Sequence, residues 1–260
     1  MELFLFSTDT EFAKKAEAAG VDSIIVDWEF TDKAERQEGH NLEINRDTLD
    51  DLQSLVKAVS LPITVRVNSP GKALRDEVEL ALAHGARIIM LPMARRVEEV
   101  SGFLNMVGSR AQTLVQIETL PLVDKLREFA ALSWDYAYIG LNDLSVARKS
   151  PFIWDAVFDG TVENICGSLQ GRKFGFGGMT VIGGGDPLPF TLLLHEYIRM
   201  GCSIGLLRRC FKKDILDRDL RMEIQVLRTY IEASRKRKVQ AVQSDHQRLM
   251  DCLQRAGKRK

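Results

Sequence analysis

Ala83-His84-Gly85-Ala86-Arg87-Ile88-Ile89-Met90-Leu91 joins the end of an amphipathic stretch to a short apolar run through one glycine. The same punctuation stands at Ala18-Ala19-Gly20-Val21-Asp22 and at Arg199-Met200-Gly201-Cys202-Ser203. A glycine after a helical pattern supplies the left-handed residue that ends a helix, and the next residues read as a strand. Working outward, eight short apolar runs appear: 3–6, 23–26, 63–67, 87–91, 113–117, 136–139, 173–176 and 203–207. They are continuous rather than alternating, which predicts strands buried on both faces. Helical patterns separate them, over 10–19, 46–59, 72–84, 97–107, 121–131, 153–169, 188–200 and 213–231, with Asp47 read as the residue that opens the second. Strict alternation implies a parallel sheet. Eight units predict an α/β fold of the (β/α)8 TIM-barrel class, with a C-terminal helical extension. An open dinucleotide-binding sheet would want a Gly-x-Gly-x-x-Gly after an early strand, and none is present.

Composition narrows the class. With 45% hydrophobic and 28% charged residues the chain is globular rather than disordered. No apolar run approaches the roughly 20 residues that span a bilayer, so no membrane role is expected. The four cysteines form no Cys-x-x-Cys pair, which argues against structural zinc and a disulfide framework and for a cytoplasmic location. The formal net charge of zero hides an asymmetry: residues 1–232 carry −7 and residues 233–260 carry +7. The chain therefore divides into a barrel over 1–232 and a basic amphipathic helix over 233–260. Val239, Val242, His246, Leu249 and Leu253 recur on one face of that helix, which is too poor in apolar residues to stand alone. The expected partner is a barrel, of the same or a second copy, giving a homo-oligomer through the C-terminal helix. Nucleic acid is disfavoured, because the basic block is short and lacks interleaved aromatics.

Active sites of such barrels sit at the C-terminal ends of the strands. That rule collects Asp27 and Glu29 after strand 2, Arg66 and Asn68 after strand 3, Gln116 and Glu118 after strand 5, and Gly140-Leu141-Asn142-Asp143-Leu144-Ser145 after strand 6. Arg208 and Arg209 follow strand 8. Grouped carboxylates are stable together when a divalent cation or an arginine neutralises them. Two acids on neighbouring strands suit Mg2+ or Mn2+, or another divalent ion, with Glu118 and Asp143 as ligands. The plainer reading of either acid is a helix cap. Arg66 fits the binding of a keto or enolate oxygen or a carboxylate, and a charge-balancing salt bridge is its plainer reading. The backbone around Gly140, read as a loop, could hold a carboxylate. Arg208 suits a second carboxylate or phosphate of the substrate.

The motifs Val115-Gln-Ile-Glu-Thr119 and Tyr138-Ile-Gly-Leu-Asn-Asp-Leu-Ser145 resemble the paired signature of the HpcH/HpaI aldolase and citrate lyase β-subunit family. Gly20-Val-Asp-Ser-Ile-Ile-Val-Asp-Trp-Glu29 is similar to its strand 2, and Val65-Arg-Val-Asn68 and Gly85–Met93 to its strands 3 and 4. The ordered resemblance runs over roughly residues 1–210. It implies a metal-dependent carbon–carbon lyase or aldolase acting through an enolate on a 2-keto acid or related acid, with a small keto acid or acyl-CoA as substrate. It also implies Glu118 and Asp143 as metal ligands and Arg66 on the keto or enolate oxygen. Gln116 then neighbours the metal, the amides of Asn142 and Asp143 hold the carboxylate, and Asp27 supports the site. Phe30 departs from the pattern, because HpaI-like aldolases carry a His there. Glu29, a metal-bound water, and His40 on the stretch 30–44 are the remaining candidates for the base. A contrasting reading is an aldolase-fold chain that has lost its base and serves as a binding or assembly subunit.

Overall fold

The computed structural model describes residues 1–30, 47–207 and 211–257. Eight parallel strands form the sheet: β1 (Glu2–Phe6), β2 (Ser23–Asp27), β3 (Ile63–Arg66), β4 (Ile88–Leu91), β5 (Gln112–Ile117), β6 (Tyr136–Ile139), β7 (Lys173–Phe176) and β8 (Ile204–Leu207). Their order is β7-β6-β5-β4-β3-β2-β1-β8. The two ends of that order approach each other: the Ser203 N–H donates to Phe174 O at 2.9 Å, and Met179 bridges to Leu207 in parallel. Gly175 permits this closure, since a Cβ there would strike the Ile204 carbonyl oxygen. The result is a nearly closed (β/α)8 TIM barrel with C-terminal helices.

Two apolar groups hold it. Phe4, Ile25, Ile88, Met90, Leu114, Tyr136, Tyr138, Ile204 and Leu206 fill the lumen, and a larger group packs between strands and helices. The helices are α1 (Thr10–Ala19), α2 (Leu49–Ala58), α3 (Leu74–Ala83), α4 (Val97–Val107), α5 (Leu120–Val123), α6 (Leu126–Ala130), α7 (Leu141–Ala147), α8 (Asp155–Phe158), α9 (Thr161–Ser168), α10 (Phe190–Arg199), α11 (Phe211–Asp214), α12 (Leu220–Arg235) and α13 (Val239–Gly257). Gly20 ends α1 at φ 93°, as its position after the helical pattern predicts.

Several expected boundaries move. The stretch 121–131 is two short helices, and 153–169 is divided at Gly160, where φ is 83°. The last barrel helix starts at Leu220, capped by the Asp219 carboxylate, and runs through position 232 to Arg235. Asp47 does not open α2. Thr48 caps it in a reciprocal box with Asp51, while Asp47 accepts the Asp27 N–H at 2.8 Å. Residues 141–147, read as a loop, form a helix whose two turns are too short to show in the apolar spacing.

The basic helix α13 packs on its own barrel, against α10 with α8 alongside. Leu249 and Leu253 are buried there. Glu196, 2% exposed, sits under the helix. Arg199 grips its carboxylate with bonds of 2.9 and 2.7 Å, and His246 Nδ1 lies 3.0 Å away. Asp245 of α13 meets Arg237 and lies 2.9 Å from His195 Nδ1. Among the described residues, no helix is long and apolar enough to cross a membrane.

Candidate active site

Parallel strands bring their C-terminal ends to one rim. Asp27 closes β2 and Arg66 closes β3, and the register pairs them. Their side chains meet in a two-pronged ion pair, Arg66 Nε to Asp27 Oδ1 at 2.9 Å and Nη2 to Oδ2 at 2.7 Å. This planar fork fixes the guanidinium in orientation as well as position. Nη1 then lies 3.2 Å from Glu29 Oε2 and donates to Gln116 Oε1 at 3.3 Å. The Phe6 ring lies beneath the guanidinium, 5.3 Å from ring centre to Cζ. Burial opposes the charge on Arg66, but Asp27, Glu29 and Glu118 outweigh it and drive its pKa above the ordinary arginine value.

The chain of contacts continues through Gln116, whose Nε2 donates to Glu118 Oε2 at 3.0 Å. The other oxygen of Glu118 accepts the Met93 N–H at 2.8 Å. Met93 pays for that bond with a φ of 56°, a left-handed conformation that costs a non-glycine residue about 1–3 kcal/mol. Gly140 leaves room on the other side, because a Cβ there would collide with Glu118 Oε2. Glu118 is 2% exposed, and its carboxyl is held well above its ordinary pKa. Burial is the main cause, followed by the charges of Asp143 and Glu29.

Asp143 and Asn142 stand in the first turn of α7. The Leu144 N–H donates to Gly140 O at 3.0 Å, which places the amides of Asn142 and Asp143 in the first turn of the helix. The structure thus brings Asp27, Glu29, Arg66, Gln116 and Glu118 into one buried group, with Gly140, Asn142 and Asp143 at its edge. His40 and Arg208 lie outside the described residues. Phe30 is 56% exposed, and its N–H donates to Asn68 Oδ1 at 3.0 Å. Asn68 is itself clamped by Glu77, which accepts its backbone N–H and its side-chain NH2, each at 2.8 Å. Among the described residues, no group of three or more His, Cys, Asp or Glu has metal-holding geometry.

Two residues escaped the sequence reading. Asp47 supports the backbone of Asp27, and its carboxyl is pushed up to about 6, mainly by burial. Its position before a helical pattern imitates a cap, so no signal distinguished the two roles. Tyr138 lies inside an apolar run and reads as core. The signal available was its place on β6 beside Gln116 of β5, which only strand register reveals.

The family model of the HpcH/HpaI aldolase/citrate lyase matches residues 1–151. The chain belongs to the HpcH/HpaI aldolase/citrate lyase family. The match runs from β1 past the end of α7 and contains every residue of the buried group. Membership of this family gives the chain a carbon–carbon lyase or aldolase type of function, on small-molecule substrates. Solved structures agree in fold. An HpcH/HpaI aldolase/citrate lyase family protein from Burkholderia cenocepacia J2315 is 15% identical, with a TM-score of 0.61 over 90% of this chain and 95% of that one. The citrate synthase SbnG is 18% identical, with a TM-score of 0.60 over 87% and 94%. RipC from Yersinia pestis is 13% identical, with a TM-score of 0.58 over 93% and 98%. No curated protein sequence matches the chain.

Proposed function

We propose that this family member is a divalent-metal-dependent lyase or aldolase that makes or breaks a carbon–carbon bond beside the carbonyl of a 2-keto acid or related acid, through an enolate. The observation that carries the reading is the continuous chain Asp27–Arg66–Gln116–Glu118, ending on a carboxyl whose pKa is raised beside Asp143. A buried acid flanked by two further acids fits a cation, which would favour its ionised form. Family members are typically divalent-metal dependent. Glu118 and Asp143 would hold Mg2+ or Mn2+, with water and substrate oxygens completing the shell. When bound, the cation would supply positive charge near the keto oxygen as electrons shift onto it.

The chain's own residues divide the remaining work. Asp27 holds Arg66 through the two shorter bonds. The two longer contacts of Nη1, to Glu29 and Gln116, are the ones a substrate oxygen can replace. Developing negative charge on that oxygen then meets a guanidinium already oriented, with little reorganisation. The amides of Asn142 and Asp143, with Gly140, offer donors to the substrate carboxylate. Glu29 is the candidate base among the described residues, and His40 remains a candidate beyond them. The C-terminal helix is the proposed contact in a homo-oligomer.

The test is exchange of the methyl protons of pyruvate for deuterium, together with oxaloacetate decarboxylation. EDTA should abolish both, and Glu118→Ala and Asp143→Ala should each do the same. Full activity in both variants refutes the metal assignment. The contrasting reading, a barrel that keeps the fold and has lost its base, draws on the exposed Phe30. It requires that wild-type protein show no exchange with Mg2+ present, and tight Mg2+ binding counts against it.

A further inference from the structure

Tyr138 is a buried polar residue of the lumen that the proposed chemistry leaves unused. It stands on β6, in register with Gln116 on β5, so the two side chains lie side by side on one face of the sheet. Gln116 is the residue that links Arg66 to Glu118. Tyr138 shares the lumen with Met90, Leu114, Ile204 and Leu206, and with Phe6, which lies under Arg66. It is 7% exposed. Its hydroxyl makes no hydrogen bond to any described residue. Yet the hydroxyl is not among the enclosed polar atoms without a hydrogen bond. The Tyr138 hydroxyl is therefore not fully enclosed, and the charges of Arg66 and Glu118 reach it.

Tyr136, two residues earlier in the same lumen, shows the contrasting case. Its hydroxyl donates to Glu2 at 2.8 Å and is tied to Lys173 at the other end of the barrel. A phenol in an apolar lumen normally finds such a partner, because burying an unpaired hydroxyl costs about 1–3 kcal/mol. A phenylalanine would fill the space of Tyr138 without that cost. We infer that the Tyr138 hydroxyl is a substrate-binding group, forming the floor of the site and donating a hydrogen bond to a carboxylate or keto oxygen of the bound acid.

The chemistry suits that role. Burial raises the Tyr138 pKa, which keeps the phenol protonated as a donor. Its place at the level of Gln116, two residues deeper than Glu118 on the neighbouring strand, assigns it to the part of the substrate that enters furthest. An anionic oxygen is the acceptor that gains most from a neutral donor in an apolar wall.

The inference rests on the keto-acid reading, and the experiment separates the two. The probe is oxalate, a planar dianion with the shape of a keto-acid enolate, titrated calorimetrically into full-length protein with Mg2+ present. Wild type should bind it. Tyr138→Phe should bind about 10- to 100-fold more weakly, the cost of one donor to a charged group. Its melting temperature and Mg2+ affinity should stay those of wild type. The KM for pyruvate in deuterium exchange should rise by a similar factor, with a smaller change in kcat. Oxalate binding within twofold of wild type overturns the role of Tyr138 and leaves the keto-acid reading standing. Failure of wild type itself to bind oxalate overturns both. A second measurement needs no substitution. In wild type carrying ring-labelled tyrosine, one of four tyrosine Cζ signals should move when oxalate is added. Four unmoved signals overturn the inference even if Tyr138→Phe does not fold.

Discussion

The Glu118 carboxylate occupies the space that a side chain on Gly140 would need. The glycine has φ −82°, a conformation any residue adopts. Its lack of a side chain therefore serves the neighbour and not its own backbone. Gly140→Ala should push Glu118 off its bonds to Met93 and Gln116. We expect about 10- to 100-fold weaker Mg2+ binding by calorimetry. Urea denaturation should show a loss of about 1–3 kcal/mol from overpacking.

Asp27 is fully buried and holds both prongs of Arg66. Asp27→Asn removes the charge that compensates the guanidinium and keeps the volume. An unpaired buried charge costs about 3–5 kcal/mol. Glu29, 3.2 Å away, recovers part of this, so the lower end is expected. Urea midpoints of the two proteins measure it, and equal midpoints contradict a structural role for the fork.

Raised carboxyl pKa values have a definite sign. Glu118 lies above 4.5 in the fold, and Asp47 rises from 3.8 to about 6. Between the ordinary and the raised value, the folded chain holds a proton that the unfolded chain has released. Stability contributed by these two groups is therefore greatest below the ordinary values and falls as pH rises through the window. Metal-free protein should lose melting temperature with rising pH across this range. Asp47→Asn should remove the part that ends near pH 6, and Glu118→Gln the part that Glu118 contributes above its ordinary value. Added Mg2+ should flatten the Glu118 part, because it stabilises the ionised form.

Deleting residues 239–260 should destabilise the barrel. The buried Leu249 and Leu253 each contribute about 1.5–3 kcal/mol, and Glu196 loses His246. Melting curves register this. In the proposed assembly through this helix, light scattering also gives a smaller mass.

The barrel was legible because its strands are covered on both faces. That requirement leaves continuous apolar runs such as Ile88–Leu91, and Gly20, Gly85 and Gly201 mark where three of them begin. The rim acids and Arg66 were legible from strand ends alone. Their partnerships were not. The fork between Asp27 and Arg66 depends on strand register, and Tyr138 differs from core only by where its hydroxyl ends. Short helices defeated periodicity: α7 has two turns, and α5 and α6 share one amphipathic stretch. Asp47 misled because an acid before a helix serves equally well as a cap or as support for a distant backbone. The apolar face of the tail was readable, and its docking on α10 was not, since any complementary groove satisfies the same spacing.

That docking gives the chain an order of completion. Synthesis delivers α10 about 40 residues before α13 begins. Once β8 has followed, Glu196 and the apolar strip around it have the sheet behind them and await α13 in front. The nascent barrel therefore carries an adhesive, partly charged seam that disappears only when α13 emerges from the ribosome and folds down. A translational pause between codons 208 and 239 would prolong the vulnerable interval, even with every strand of the barrel already made.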